Sequence, residues 1–288
     1  MDTTQFQAGL DRLAQPVLPL VRLVQLLFLM GPFATVTEVV AELNEPIETV
    51  VRYEDPAEAL LPYLDLIEEF QRLKDTAPAP YSILDSEGNP LPLIEAVDWW
   101  VAQQVVTREL ESINSLLCSP CGCSLCCVGP TPDLKQVFFS IPLKVEEVDL
   151  FVLPRIDTFD SRSLTVESEP PLIIGKGQPF YELGPGLYCW QSGWSMILPT
   201  GAACPHLTPS QACAIYPQRP EVCRRPQIFA YLIDRPFISV DFGPGQTFRQ
   251  SGTILAIWDC PYVKQFQAEI AAYAELCDLE PVFKMNKA

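Results

Sequence analysis

The chain has 288 residues, which is enough for one large domain or two modest ones with an apolar core. Its hydrophobic fraction of 48% and charged fraction of 19% are typical of a globular protein and exclude a disordered one. The formal net charge of −17 opposes binding to nucleic-acid phosphates and to anionic membrane surfaces. We therefore expect no nucleic-acid partner and no membrane partner.

The N-terminal sequence has no basic segment ahead of an apolar run, so it predicts no secretory signal. The stretch 17–36 is the most apolar of the chain, but Arg22 and Gln25 interrupt it. Because a membrane span needs about 20 predominantly apolar residues, this stretch is predicted to be a buried helix. We expect a cytoplasmic protein in a reducing environment, where disulfides are rare.

The N-terminal part of the chain is predicted to be mostly helical. Apolar residues recur at three-to-four spacing from Leu10 to Val24, which predicts a helix with a wide buried face. The same pattern predicts helices over 35–43, 56–73 and 93–117, with a proline- and glycine-bearing connector before the last of these. Residues 1–115 are therefore predicted to form a helical region, to which the sequence assigns no role.

The pattern changes after residue 117. Short strands are predicted over 137–143 and 172–174, a short helix over 145–153, a hairpin over 227–242 and a terminal helix over 261–279. The predicted fold class is α+β and helix-rich. Its N-terminal helical region is followed, at residues 116–288, by a loop-rich cysteine-cluster metal-binding domain with short strands and a C-terminal helix.

Cysteines cluster where the long predicted helix ends. Five of the 11 cysteines fall within ten residues, and residues 1–117 contain none. An odd number excludes complete intramolecular pairing, and adjacent cysteines are awkward in a disulfide framework. Thiolates are soft, charged ligands that suit zinc, iron and iron–sulfur clusters. The sequence therefore predicts a metal site, with these ligands: Cys118, Cys121, Cys123, Cys126 and Cys127.

A second group of three cysteines follows about 80 residues later and is predicted to complete the coordination: Cys204, Cys213 and Cys223. The eight thiols together suffice for two four-coordinate zinc sites, for one [4Fe–4S] cluster with spare thiols, or for two clusters. The predicted cofactor is therefore zinc or iron, and the predicted small partner is a metal ion.

The second group lies within three short motifs: Cys-Pro-His-Leu at 204–207, Cys-Ala-Ile-Tyr at 213–216 and Arg-Pro-Glu-Val-Cys-Arg at 219–224. These segments resemble the CxxCxxCC family, a cysteine-cluster family described as chelating zinc or iron. The resemblance covers about residues 118–228. Cys123, Cys126 and Cys127 match the last three cysteines of the family pattern. Its first position falls on Pro120, so the resemblance implies that Cys118 or Cys121 takes that role.

Other polar residues near the motifs allow two interpretations each, a role at the metal site or a structural one. Arg219, Arg224 and Arg225 form a positive island that could stabilise thiolates or could make ordinary backbone and carboxylate contacts. The single histidine, His206, is better explained by a structural role than by metal binding, and Tyr216 by packing. The remaining cysteines lie outside the motifs and are predicted not to be ligands: Cys189, Cys260 and Cys277.

The leading functional hypothesis is a metal-chelating protein whose zinc or iron site closes between segments 118–127 and 204–223. The alternative is an iron–sulfur-dependent redox or group-transfer enzyme that modifies a protein substrate. The sequence contains no nucleotide-binding glycine loop and no motif of a Ser–His–Asp catalytic triad. It identifies no catalytic residue. A third hypothesis, compatible with either metal, is a scaffold that binds a protein partner through the N-terminal helical region.

Overall fold

The computed structural model describes residues 3–75, 78–132, 134–175, 177–234 and 246–284. These residues form a mixed α and β fold with several small sheets. The helices are α1 (Thr3–Ala14), α2 (Leu18–Met30), α3 (Val36–Glu42), α4 (Pro56–Leu60), α5 (Leu64–Ile67), α6 (Gln71–Asp75), α7 (Leu93–Cys121), α8 (Phe159–Ser163), α9 (Glu221–Arg224), α10 (Pro261–Gln265) and α11 (Gln267–Leu276). Short 3-10 helices lie at Leu61–Tyr63, Glu68–Phe70, Leu125–Cys127, Val145–Leu150, Phe180–Glu182 and Tyr216–Gln218.

The strands are β1 (Ile47–Glu48), β2 (Arg52–Tyr53), β3 (Tyr81–Leu84), β4 (Phe138–Leu143), β5 (Arg155–Ile156), β6 (Ile173–Ile174), β7 (Gln178–Pro179), β8 (Gly186–Trp190), β9 (Gly193–Pro199), β10 (Ile228–Asp234), β11 (Gln246–Ile257) and β12 (Glu280–Lys284). One sheet has the order β4-β9-β8-β5, and a second has β10, β11 and β12 side by side. Strand β3 pairs in parallel with the first residues of the long strand β11. The pairs β1–β2 and β6–β7 form separate two-stranded sheets.

The chain divides into two compact units. Unit 1 consists of Met1–Pro120 together with Gln227–Met285, and unit 2 contains Cys121–Pro226. Unit 2 is thus an insertion between α7 and β10. The sequence places the boundary near residue 115, close to the start of unit 2, but it assigns the C-terminal segment to the cysteine-bearing part. In the structure that segment packs with the N-terminal helices, because β11 carries β3 and α11 contacts α1.

Unit 1 is organised around a core of helices. Helix α2 buries Leu20, Val21, Val24 and Phe28 in it, as the three-to-four spacing predicts. The stretch Phe6–Met30, which includes α2, is also long and apolar enough to cross a membrane by length and composition, and half of its most apolar window is buried.

A capping box fixes the start of α3. The Glu38 amide donates to Thr35 Oγ1 at 3.2 Å, and Glu38 Oε2 accepts from the Thr35 amide at 3.3 Å. This reciprocal pair satisfies backbone donors that the first helical turn leaves without partners. It explains why the predicted helix over 35–43 begins where it does.

Amide side chains of α7 pair with the outer edge of β10. Gln103 and Asn114 lie eleven residues apart, which is about three helical turns, so they share one face of α7. Asn114 Nδ2 donates to the Ile228 carbonyl at 2.9 Å, and Gln103 Oε1 accepts from the Leu232 amide at 2.9 Å. The two side chains therefore satisfy backbone groups that a neighbouring strand would otherwise pair. The Asn114–Ile228 contact lies close to the points where the chain leaves unit 1 after Pro120 and returns to it at Gln227.

Unit 2 is built on the four-stranded sheet β4-β9-β8-β5. Strands β8 and β9 form an antiparallel hairpin in which Trp190 pairs with Gly193. One side of the sheet carries a cluster of rings, since Phe180, Tyr188 and Trp190 lie within 5.5 Å of one another by their centroids. Trp190 Nε1 donates to Ser195 Oγ at 2.8 Å, which satisfies the indole donor inside the core.

Most predicted elements are confirmed, with several differences in detail. The helix predicted from Leu10 to Val24 is divided into α1 and α2 by residues 15–17, which include Pro16. The connector predicted before α7 contains strand β3. The helix predicted over 56–73 is interrupted by 3-10 turns, the first of which includes Pro62, a residue without an amide hydrogen. The helix predicted over 145–153 is the 3-10 helix Val145–Leu150, and the terminal helix is divided at Phe266. The predicted hairpin over 227–242 begins with β10, which pairs antiparallel with β11, but its turn lies outside the described residues. Strands β8 and β9 were not predicted.

Candidate metal centre

The first group of cysteines spans the end of α7 and the turn that follows it. Cys118 lies in the last turn of α7 within unit 1, and Cys121 is the last residue of that helix and the first of unit 2. Gly122 then adopts a φ of +65°, a backbone conformation that favours glycine and turns the chain away from the helix. Cys126 and Cys127 lie in the following 3-10 helix. Seven of the eight predicted ligands therefore belong to unit 2.

A short antiparallel contact joins the first group to the second. Val128 and Ala203 form an isolated β-bridge. The Cys204 amide donates to the Cys127 carbonyl at 2.8 Å, and the Gly129 amide donates to the Ala202 carbonyl at 2.7 Å. Cys127 and Cys204, which are 77 residues apart in the sequence, are therefore backbone neighbours. This contact brings together one cysteine from each of the two predicted ligand segments.

The contact depends on a close approach at Gly129. A Cβ atom at this position would lie 1.9 Å from the carbonyl oxygen of Pro199, a distance that real Cβ atoms essentially never show. Only a residue without a side chain lets the chain after Cys127 pass so close to the end of β9. Gly129 was not predicted as a site residue from the sequence. The available signal was a glycine two residues after the last cysteine of the first group.

The other two cysteines of the second group follow from local loops. Leu207 and Cys213 form a β-bridge, and the Ala214 amide donates to the His206 carbonyl at 2.8 Å, so the loop from 204 to 213 folds back on itself. Cys223 lies on the one-turn helix α9, which begins directly after Pro220. Proline fixes the backbone angle at such a start and removes an amide hydrogen that the first turn leaves unpaired.

Cys126 and Cys127 interact directly. The Cys127 thiol donates a hydrogen bond to the Cys126 sulfur, which lowers the pKa of Cys126 and raises that of Cys127. A nearby Cys123 opposes ionisation of Cys126, whereas Arg219 favours it. Cys126 is thus the thiol of this pair that ionises first, with Cys127 holding the shared proton.

The thiols of both groups lie within electrostatic range of one another. Burial raises the pKa of Cys223 to about 12, and Cys126, Cys204 and Cys213 add to this increase, because neighbouring thiolates repel. The same causes, burial first, raise the pKa of Cys204. A bound cation would lower the pKa values of these thiols, because the attraction of each thiolate to the positive charge outweighs the repulsion between thiolates.

Backbone amides point at the Cys204 sulfur. The amides of His206 and Leu207 both donate to it, and both favour its ionised form. This arrangement follows from the turn at Pro205, because the two residues after the proline place their N–H groups back over the preceding side chain. Hydrogen bonds of this kind stabilise a thiolate and orient it as a ligand.

Residues after β4 hold both cysteine-bearing loops. Glu147 Oε1 accepts from the Glu221 amide at 2.6 Å, which satisfies a donor at the start of α9. Lys144 and Arg225 form ion pairs with the Glu221 carboxylate. His206 Nε2 donates to the Leu150 carbonyl at 2.7 Å. The 3-10 helix Val145–Leu150 thus anchors the loop of Cys204 and the helix of Cys223.

The arginines of the predicted positive island have different positions. Arg219 is only 6% exposed, and its guanidinium lies 3.7 Å from the centroid of the Tyr216 ring. Arg224 donates to the Arg219 carbonyl at 2.5 Å. Arg219 also makes a backbone contact, since its Nε donates to the Tyr216 carbonyl at 3.1 Å, and its charge slightly lowers the pKa values of Cys126 and Cys223. Arg224 and Arg225 make backbone and carboxylate contacts.

The three cysteines predicted not to be ligands have their own surroundings within each unit. Cys260 and Cys277 are buried in unit 1. Cys189, on β8, contacts Asp157 and Arg162, which form a two-bonded ion pair at 2.5 and 2.8 Å. Their positions are consistent with structural roles.

The donor set fits a soft metal. Every predicted ligand is a thiol, a set that suits zinc or iron and that carboxylate-preferring cations such as Mg²⁺ would not select. Across the described ranges, no group of three or more His, Cys, Asp or Glu side chains is arranged so that it could hold a metal ion directly. The backbone brings the cysteine loops together, and the thiol side chains lie near one another without forming a closed coordination shell.

Comparisons with known proteins add no family. No family model matches the chain, and neither the curated proteins nor the solved structures give a significant match. The resemblance to the CxxCxxCC family therefore stays a prediction that rests on the motifs quoted above.

Proposed function

We propose that this protein binds a soft metal, zinc or iron, through thiolates of unit 2. The observation that carries the proposal is the backbone contact between Cys127 and Cys204. It joins two cysteine-rich segments that are far apart in the sequence, and it does so through a close approach that only glycine permits at position 129.

The proposed ligand set consists of six cysteines of unit 2: Cys123, Cys126, Cys127, Cys204, Cys213 and Cys223. Cys121 of the same unit is a seventh candidate. When bound, zinc would tie the two segments together, and an iron–sulfur cluster would add electron transfer. The chain supplies the negative charge of the thiolates and the His206 and Leu207 amides, which donate to the Cys204 sulfur. Membership of Cys118 in the set remains a prediction from the sequence.

Bound metal is proposed to stabilise unit 2. The loops that carry the cysteines are held mainly by single hydrogen bonds and by the ion pairs of Glu221, so their own contribution to stability is small. Structural zinc supplies roughly 10 to 16 kcal/mol in small zinc-finger peptides. We expect metal removal by a chelator to lower the thermal midpoint of unit 2 while unit 1 retains its transition.

Single Cys→Ser variants test the proposal. We expect each of Cys126→Ser, Cys127→Ser, Cys204→Ser and Cys223→Ser to lower the metal content of the purified protein, because serine is a poor ligand for a soft metal. Cys189→Ser is the matched control, since Cys189 lies in unit 2 but contacts Asp157 and Arg162. Elemental analysis after anaerobic purification is the measurement. Wild-type metal content in all four variants would refute the assignment.

A further inference from the structure

Cys127 and Cys204 lie directly opposite each other on two antiparallel segments of unit 2. The bridge pairs Val128 with Ala203, so the residue before Val128 faces the residue after Ala203. The Cys204 amide donates to the Cys127 carbonyl at 2.8 Å across this pair. Opposite residues of an antiparallel pair project to the same side, and at a hydrogen-bonded position their Cα atoms are about 5.5 Å apart.

This separation suits a disulfide bond. The Cα atoms of disulfide-bonded cysteines are roughly 4.4 to 6.8 Å apart, a range that includes the spacing of about 5.5 Å expected for Cys127 and Cys204. Cys126 also contacts the Cys127 thiol. However, the Cα atoms of adjacent residues are only about 3.8 Å apart across a trans peptide, which is below that range. Cys204 is therefore the geometrically suited partner of Cys127.

Solvent access and a fixed backbone complete the arrangement. Both Cys127 and Cys204 are partly exposed, so a small oxidant can reach their thiols. The close approach of Gly129 to the Pro199 carbonyl keeps the two segments in register. In the reducing environment that the sequence predicts, a disulfide is usually transient and serves catalysis or redox sensing.

We propose that a peroxide joins Cys127 and Cys204 in a reversible disulfide and thereby releases the bound metal. This inference rests on the proposed metal-binding function, because both cysteines belong to the proposed ligand set. It adds redox control to that function: the reduced site holds the metal, and the oxidised site does not.

The reaction balances with hydrogen peroxide as the oxidant. The sulfur of one cysteine attacks a peroxide oxygen, the O–O bond breaks, and a sulfenic acid and water form. The second sulfur attacks the sulfenic sulfur, the S–O bond breaks, and a second water leaves. The two sulfurs give up two electrons, and the two thiol protons end in the two waters. The metal loses two ligands because it binds the thiolate form of cysteine. A dithiol reductant reverses the change by thiol–disulfide exchange.

Disulfide mapping of the metal-free, fully reduced protein tests the pairing. Stoichiometric hydrogen peroxide is added, the remaining thiols are blocked, and the chain is digested with trypsin, which cleaves after Lys and Arg except before Pro. We expect a cross-link between fragments 109–135 and 177–224, assigned by peptide fragmentation to Cys127 and Cys204. A bond between any other two cysteines, or no bond, would overturn the inference. Mapping of the wild-type chain needs no variant, so its result stands even where a variant does not fold.

Cysteine variants check the assignment. Cys126→Ser should keep the cross-link, because Cys126 is the competing neighbour and not the proposed partner. Cys127→Ala should lose it. The matched control is Cys189→Ser, since Cys189 lies in unit 2 but contacts Asp157 and Arg162. We expect this control to form the same bond as the wild type, and loss of the bond in Cys126→Ser would contradict the proposed pairing.

Zinc release tests the consequence of the bond. The full chain is loaded anaerobically with Zn²⁺, and free zinc is followed with a chromogenic chelator as hydrogen peroxide is added. We expect zinc release in proportion to the Cys127–Cys204 disulfide, and zinc uptake again after treatment with dithiothreitol. Zinc retained by protein in which this disulfide has formed would overturn the redox control and leave the metal site intact. If the reduced wild-type protein binds no Zn²⁺ and no iron, the proposed function itself fails, and its redox control fails with it.

Discussion

Glu109 gives unit 1 an unusual dependence of stability on pH. This side chain lies on α7, is 4% exposed, and accepts hydrogen bonds from the Val17 amide at 3.0 Å and the Tyr273 hydroxyl at 2.7 Å. Burial raises its pKa from 4.5 to about 7, an increase that these two hydrogen bonds and the charge of Arg12 only partly oppose. The folded protein therefore binds the Glu109 proton more tightly than the unfolded chain does.

The sign of the effect follows from linkage. Because the folded-state pKa is the higher one, the contribution of Glu109 to stability is complete below about pH 4.5 and is lost as the pH rises towards 7. A difference of about 2.5 between the two pKa values corresponds to roughly 3 to 4 kcal/mol, since one pKa unit is worth about 1.4 kcal/mol. This dependence is opposite to that of carboxylates held by ion pairs.

Glu109→Gln isolates this contribution. Glutamine preserves the shape and can still accept from Val17, but it cannot ionise. We expect the unfolding free energy of the variant, relative to the wild type, to rise by about 3 kcal/mol between pH 4.5 and pH 8, measured by urea denaturation at each pH. Glu109→Leu is the companion variant, because it removes both acceptors and should destabilise the protein at low pH. A difference between Gln variant and wild type that is constant with pH would refute the reasoning.

Two other substitutions test the contacts that organise the units. Gly129→Ala would place a Cβ atom 1.9 Å from the Pro199 carbonyl oxygen, and we expect a loss of about 2 kcal/mol or more in stability together with a lower metal content. Wild-type values for both would contradict the close approach. Gln103→Leu leaves the Leu232 amide without its side-chain acceptor and should cost about 1 to 3 kcal/mol in urea denaturation. Gln104→Leu is its control, and equal effects of the two changes would show that the pairing of β10 does not matter.

Local sequence patterns predicted much of the fold. The buried spacing of Val97, Val101 and Val105 on α7 and the apolar run of α2 are strong periodic signals, and both helices are confirmed. Strands β8 and β9 were missed because the glycines and prolines at their ends also occur in loops. The parallel pairing of β3 and β12 with β11 was not predictable, since nothing in a single strand specifies a partner that is distant in the sequence.

The candidate site, like the fold, was predictable from the sequence only in part. The identity and spacing of the cysteines are visible in the sequence, whereas the supporting groups depend on long-range contacts. Glu147 reaches the start of α9 from 74 residues away, and the burial of Arg219 distinguishes it from its neighbours Arg224 and Arg225. The single histidine was predicted to be structural, and its contact with the Leu150 carbonyl is consistent with that role.

Metal content is the most direct test of the proposed function. The full-length protein is purified anaerobically without added chelator, and zinc, iron and acid-labile sulfide are measured on the same sample as the visible spectrum. We predict at least about one zinc ion, or iron with absorbance near 400 nm, per chain, and the loss of this metal in Cys126→Ser but not in Cys189→Ser. A colourless protein that contains no zinc or iron, and that takes up neither metal when each is supplied anaerobically, would contradict the account.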